Sequence, residues 1–180
     1  NTQVGTHKYT VEEVIPENKE AGMTYDTMKA EVTITVTKEG HVLKATNTLP
    51  ADTEFNNTFT PSPVKVNLEF DKSLSNGNLN AGDFSFTLTG DNNVNETVTN
   101  KANGKINFSE LSFDKVGVYN YTVKEVKGDK ADVDYDAMTI AVKVTVTKDE
   151  NTGLLVANTE MTSTGGEATG TDDTTFNNHV

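Results

Sequence analysis

The chain contains one strand-like stretch twice, and that duplication limits what it can fold into more than any other feature. Tyr119-Asn120-Tyr121-Thr122-Val123-Lys124-Glu125-Val126 is rich in aromatic and β-branched residues and alternates with period two, the pattern of a half-buried β-strand. Tyr9-Thr10-Val11-Glu12-Glu13-Val14 repeats it, with Glu13 in register with Glu125. Side chains two apart share a face, so Tyr119, Tyr121, Val123 and Glu125 point together. The row is apolar and is expected to face inward, which sets a carboxylate at the end of a core-facing row. A buried carboxylate needs a partner or a proton.

The duplication extends beyond this strand. Tyr25-Asp26 precedes an alternating run at 30–37, and Tyr135-Asp136 precedes a similar run at 140–147. Phe55-Asn56-Asn57 is matched by Phe176-Asn177-Asn178. The offset is 112 residues from Tyr9 to Tyr121, 110 from Tyr25 to Tyr135, and 121 from Phe55 to Phe176. Residues 1–59 therefore match only the second half of the unit at 64–180, and the chain reads as one and a half repeats. Thr60-Pro61-Ser62-Pro63 is a stiff connector that predicts a boundary between a half unit at 1–60 and a full unit at 61–180. No stretch sustains helical periodicity, and short strands between turns predict an all-β, Ig-like sandwich.

Composition narrows the function classes. At 180 residues the chain can bury a sizeable core, and a net charge of −12 argues against nucleic acid or an anionic membrane as partner. No apolar run reaches the roughly 18 residues that a membrane helix needs. A basic-then-apolar leader is absent, so the expectation is a mature or excised segment. Cysteine is absent, which excludes disulfides and thiolate metal sites. His7, His41 and His179 lack metal-ligand spacing. Asp129, Asp132, Asp134 and Asp136 crowd one loop but lack a regular Ca²⁺-loop pattern, so a solvated acidic loop is the favoured reading. No metal and no cofactor are expected. With neither a nucleophile elbow nor a phosphate loop, no turnover enzyme is expected either. An acidic, Cys-free, Thr/Asn-rich β protein fits a bacterial surface domain, among many others.

Three polar residues fall on inward rows by parity. Lys72 continues the row Val64, Val66, Leu68, Phe70; Glu125 ends its own row; Asn178 lies between Phe176 and Val180. In an apolar core a Glu pKa rises and a Lys pKa falls, which favours a neutral acid and a neutral amine. A neutral amine is a nucleophile. The protonated carboxyl can polarise the Asn carbonyl and pass protons to departing ammonia. The product would be a Lys–Asn side-chain amide, formed once per molecule. The plainer readings are a lysine that snorkels to the sheet edge, a Lys–Glu ion pair without a cross-link, and an asparagine that caps a strand.

The ordered set Phe70-Asp71-Lys72-Ser73-Leu74, Ala81-Gly82-Asp83-Phe84-Ser85-Phe86-Thr87-Leu88, Asn103-Gly104-Lys105-Ile106-Asn107-Phe108, Gly117 to Glu125, Tyr135-Asp136 and Phe176-Asn177-Asn178 resembles the isopeptide-linked pilin repeat of Gram-positive bacteria, the streptococcal type. The resemblance covers nearly all of residues 64–180 and, at half length, residues 1–59. It implies Lys72 and Asn178 as the linked pair and Glu125 as the catalytic acid, with Glu13 and Asn57 as the half-unit equivalents. No lysine upstream of Asn57 stands where the pattern would put one. The implied role is a stalk domain of a cell-wall-anchored surface pilus or fibrillar adhesin, packed against neighbouring repeats or pilus subunits. A module that grips host surface molecules is the competing class.

Overall fold

The computed structural model describes residues 3–180. Two compact units divide the chain, one ending at Pro61 and the other spanning Ser62–Val180. All regular structure among the described residues is β-strand.

The first unit contains β1 (Gly5–Glu12), β2 (Met23–Thr24), β3 (Lys29–Glu39), β4 (Val42–Thr48) and β5 (Thr58–Phe59). β1, β3 and β4 form an antiparallel sheet in that order, and β2 pairs with β5. Tyr9 and Val11, on the row that parity turns inward, are 47% and 48% exposed.

The second unit contains β6 (Val64–Val66), β7 (Glu69–Ser75), β8 (Ser85–Gly90), β9 (Asn95–Thr99), β10 (Lys105–Asn107), β11 (Leu111–Phe113), β12 (Gly117–Val126), β13 (Thr139–Lys148), β14 (Leu155–Thr164) and β15 (Thr175–His179). A five-stranded sheet runs β14-β13-β12-β8-β9, a second runs β10-β7-β15, and β11 pairs with β6. Their inner faces share one core that includes Phe70, Phe86, Leu88, Ile106, Tyr121, Val123, Val142 and Phe176. The Phe86 and Phe176 rings, from opposite sheets, lie 5.2 Å apart between centroids. This is a β-sandwich, and its strands alternate buried and exposed residues as the period-two pattern requires.

The repeat persists in the pairing register. Tyr9 faces Val32 and Val11 faces Ala30 across β1–β3; Tyr121 faces Val142 and Val123 faces Ile140 across β12–β13. The environments differ because the first unit has no counterpart of β6–β11. Tyr121 and Val123 are 3% and 0% exposed under the second sheet.

One element departs from the sequence expectation. The single strand expected from Val64 to Leu74 is broken at Asn67-Leu68, so that β6 pairs with β11 while β7 joins β10 and β15. Parity survives the break, with Leu68, Phe70 and Lys72 all buried. The stretch after Gly90, polar enough to read as loop or edge, supplies β9, the edge strand beside β8.

Candidate functional site: an amine, an acid and an amide between two sheets

β7 and β15 lie side by side and parallel, with Phe176 opposite Lys72 and Asn178 opposite Leu74. Residues 72 and 178 are therefore offset by one side-chain repeat on the same face of the same sheet. β12, in the facing sheet, brings Glu125 over them. The Lys72 and Glu125 side chains are 0% and 1% exposed, and Asn178 is 1% exposed. One carboxyl group contacts both nitrogens. Lys72 Nζ donates to Glu125 Oε2 at 3.2 Å, and Asn178 Nδ2 donates to Glu125 Oε1 at 2.7 Å.

The orientation of the Asn178 amide follows from its other neighbour. The Asp136 backbone N–H donates to Asn178 Oδ1 at 2.8 Å, and a backbone N–H can only donate. The carbonyl oxygen therefore faces Asp136 and the NH₂ faces Glu125. This differs from the expected role of Glu125 as the group that polarises the carbonyl. The Asp136 N–H contacts the carbonyl oxygen instead, and Glu125 contacts the amide nitrogen, the side on which it was also expected to pass protons.

Asp136, which the sequence reading placed among solvated loop carboxylates, is buried beside the amide. It is 4% exposed, and its carboxylate accepts three backbone N–H groups, from Met138 at 2.8 Å, Asn177 at 2.8 Å and Glu167 at 3.0 Å. Those bonds fix the chain on both sides of the amide and aim the Asp136 N–H at Oδ1. The signal was present in the repeated Tyr-Asp pairs at 25–26 and 135–136. Among the described residues no group of acidic or histidine side chains is arranged to hold a metal ion.

Burial dominates the electrostatics. Desolvation pushes the Glu125 pKa up, outweighing the opposing pull of Lys72 and the Asn178 hydrogen bond. Desolvation likewise pulls the Lys72 pKa down against the attraction of Glu125. Both shifts favour the neutral amine and neutral acid, a pair with the same proton count as ammonium and carboxylate. A single proton moving along the Lys72–Glu125 hydrogen bond converts one form into the other. Lys72 Nζ also lies 4.7 Å from the Phe84 ring centroid, so an aromatic face walls the site. The other buried asparagine, Asn100, has no such acid–amine surroundings. The Asn100 side chain is spent on the backbone of Phe84, Asn80 and Lys101.

The first unit holds the same acid–amide arrangement, with no lysine on the acid among the described residues. Asn57 Nδ2 donates to Glu13 Oε1 at 2.7 Å, and the Asp26 N–H donates to Asn57 Oδ1 at 2.9 Å. The Asp26 carboxylate accepts the backbone N–H of Asn56 and of Met28, each at 2.8 Å.

Comparison with known proteins places these residues in a wider set. The FctA family model, described as a Spy0128-like isopeptide containing domain, matches residues 2–60 and 68–180. Among solved structures, a single-residue variant of the major pilin from Streptococcus pyogenes is 24% identical at a TM-score of 0.39, covering 67% of this chain and 51% of that one. The T3.2 major pilin protein from the same species is 21% identical at a TM-score of 0.26, covering 99% of this chain and 67% of that one. The chain thus spans about half the length of the first of these pilins. No curated protein matches it.

Proposed function

This chain belongs to the family of Spy0128-like isopeptide-containing domains, and from that premise we propose that its second unit is a load-bearing stalk segment of a bacterial surface pilus, closed by an amide between Lys72 and Asn178. The observation that carries the proposal is the single buried carboxyl in contact with both the amine and the amide nitrogen. The partners are neighbouring repeats and pilus subunits, and the location is the outside of a Gram-positive cell. The chemistry turns over once per molecule and uses only protein side chains.

The steps follow from the geometry. Proton transfer from Lys72 Nζ to Glu125 Oε2 leaves a free amine. The amine attacks Asn178 Cγ, and the developing oxyanion on Oδ1 is met by the Asp136 N–H already aimed at it. Protonated Glu125 gives its proton to Nδ2, which Oε1 faces, and takes back the proton that the attacking amine sheds, so that it ends protonated. The Nζ–Cγ bond forms, the Cγ–Nδ2 bond breaks, and nitrogen leaves as ammonia. Packing holds the reactants together, so proximity supplies much of the rate.

The bond would close the 106 positions from Lys72 to Asn178 (178 − 72) into a covalent loop. On the chain-entropy account, closure of that length stabilises by about 4–5 kcal/mol. Intact mass spectrometry tests the proposal. The purified chain is expected to be one ammonia lighter than its sequence, and Glu125→Ala is expected to restore the full mass while keeping the β-sheet circular dichroism. A Glu125→Ala protein that still lacks ammonia would remove Glu125 from the mechanism.

A further inference from the structure

Behind the site, on the outer face of the same sheet, three side chains meet that the proposed chemistry does not use. Ser75 of β7 and His179 of β15 stand opposite each other in the parallel pair, each one residue beyond an inward-facing neighbour, Leu74 and Asn178. Ser75 Oγ bonds His179 Nδ1 and also lies 3.4 Å from the backbone carbonyl oxygen of Asn178. His179 Nε2 lies 3.7 Å from Glu167 Oε2. The backbone N–H of that same Glu167 donates to Asp136 Oδ1. The cluster therefore joins the three elements that carry Lys72, Asn178 and Asp136.

Counting donors shows what a proton does here. With a neutral ring protonated at Nε2, Nδ1 is an acceptor, and the single Ser75 O–H must choose between it and the Asn178 carbonyl. The other neutral tautomer frees the serine but turns a bare Nε2 toward the Glu167 carboxylate. In the imidazolium both nitrogens donate: Nδ1–H serves Ser75 Oγ, the serine O–H is released to the Asn178 carbonyl, and Nε2–H faces Glu167. One added proton thus makes all three contacts compatible. Glu167 faces the ring from the turn at 165–167, and β7 presents the uncharged Ser75. Asp134 stands opposite His179 in an antiparallel bridge, with backbone bonds of 2.8 and 3.2 Å between them. The first unit lacks this cluster. Thr58 stands where the second unit has His179, and Glu167 lies in the stretch that lengthens the offset from 110 to 121 residues.

We propose that Ser75, His179 and Glu167 form a proton-operated latch that holds Asn178 in place for attack, with His179 as a positioning residue for the Lys72–Asn178 bond. β15 is five residues long, and strand ends open more readily than strand centres. The latch ties the far end of β15 to β7 and to the turn that fixes Asp136. The His179 side chain is 47% exposed and exchanges protons with solvent, whereas Lys72 and Glu125 are sealed from it. This rests on the reading of Lys72, Glu125 and Asn178 as a bond-forming trio.

The test uses the full chain assembled by chemical synthesis, and so unlinked at the start. It is folded by dilution from urea at about pH 5.5 and about pH 8, either side of the imidazole range. Circular dichroism follows folding, and intact mass follows ammonia loss. At the lower pH the unmodified chain is expected to lose ammonia about two- to fivefold faster than His179→Gln, the effect of an exposed ion pair. At the higher pH the two rates are expected to coincide. Taking the ratio at each pH cancels any titration of the trio itself. Ser75→Ala is expected to match His179→Gln at both pH values, because without the hydroxyl the imidazolium has no link to the Asn178 carbonyl. A ratio that does not change with pH overturns the inference, and so does a Ser75→Ala chain that keeps the acceleration at the lower pH. An unmodified chain that folds and never loses ammonia overturns the trio, and this inference falls with it.

Discussion

At the scale of single residues, the proposed chemistry falls on Glu125. Lys72 and Asn178 hold its two oxygens separately, so one group can serve both the attacking and the leaving nitrogen. The sign of its pKa shift yields a test. In Lys72→Met no bond can form, and Glu125 keeps the desolvation that lifts its pKa above the ordinary 4.5. A carboxyl whose folded pKa is raised contributes fully below the unfolded value and loses that contribution as pH rises through the folded value. The melting temperature of Lys72→Met is therefore expected to fall, relative to Lys72→Met/Glu125→Gln, as pH rises from below 4.5. A difference that stays flat with pH would mean that Glu125 is solvated. Parity made this position legible: Lys72, Glu125 and Asn178 each break an apolar row, and a polar residue on such a row has few places to go. Asp136 was not legible in that way. Its importance lies in accepting three backbone N–H groups, and no side-chain pattern encodes that.

Among the elements, the parallel β7–β15 pair and the 165–167 turn position Lys72, Asn178 and Asp136. β7 and β15 are distant in sequence, so their adjacency follows only once the sandwich closes. Periodicity shows which residues face inward but not which strands are neighbours, and the parallel pairing had to come from the structure. The turn is more local. Gly166 has φ +56°, and a Cβ there would lie 2.1 Å from Asp136 Oδ1 and 2.2 Å from the Met138 nitrogen. Glu167, the next residue, donates its N–H to the same Asp136 oxygen. Gly166→Ala is expected to cost about 1–3 kcal/mol from backbone strain alone. It should also displace Asp136 and slow ammonia loss on refolding, followed by mass against time. Unchanged kinetics in a destabilised variant would reduce Asp136 to a purely structural anchor.

For the molecule as a whole, the consequence is mechanical. Load entering at Ser62 and leaving at Val180 would pass from residue 72 to residue 178 through the amide, so residues 73–177 carry none of it. A single-molecule pulling experiment on the chain is expected to show no extension from that segment. Lys72→Ala should release it, adding up to roughly 350 Å of contour at about 3.4 Å per residue. Paired landmarks such as Tyr25-Asp26 and Tyr135-Asp136 carry the half-unit reading of the sequence. It could not show that Tyr9 and Val11 would stand uncovered, because exposure depends on strands those residues do not encode.

The most direct measurement is tandem mass spectrometry of a proteolytic digest of the purified chain. The account predicts a branched species in which the segment containing Lys72 is joined to the segment containing Asn178, at the summed mass less one ammonia. Recovery of both segments as separate linear peptides of full mass, from protein that was folded before digestion, would contradict it.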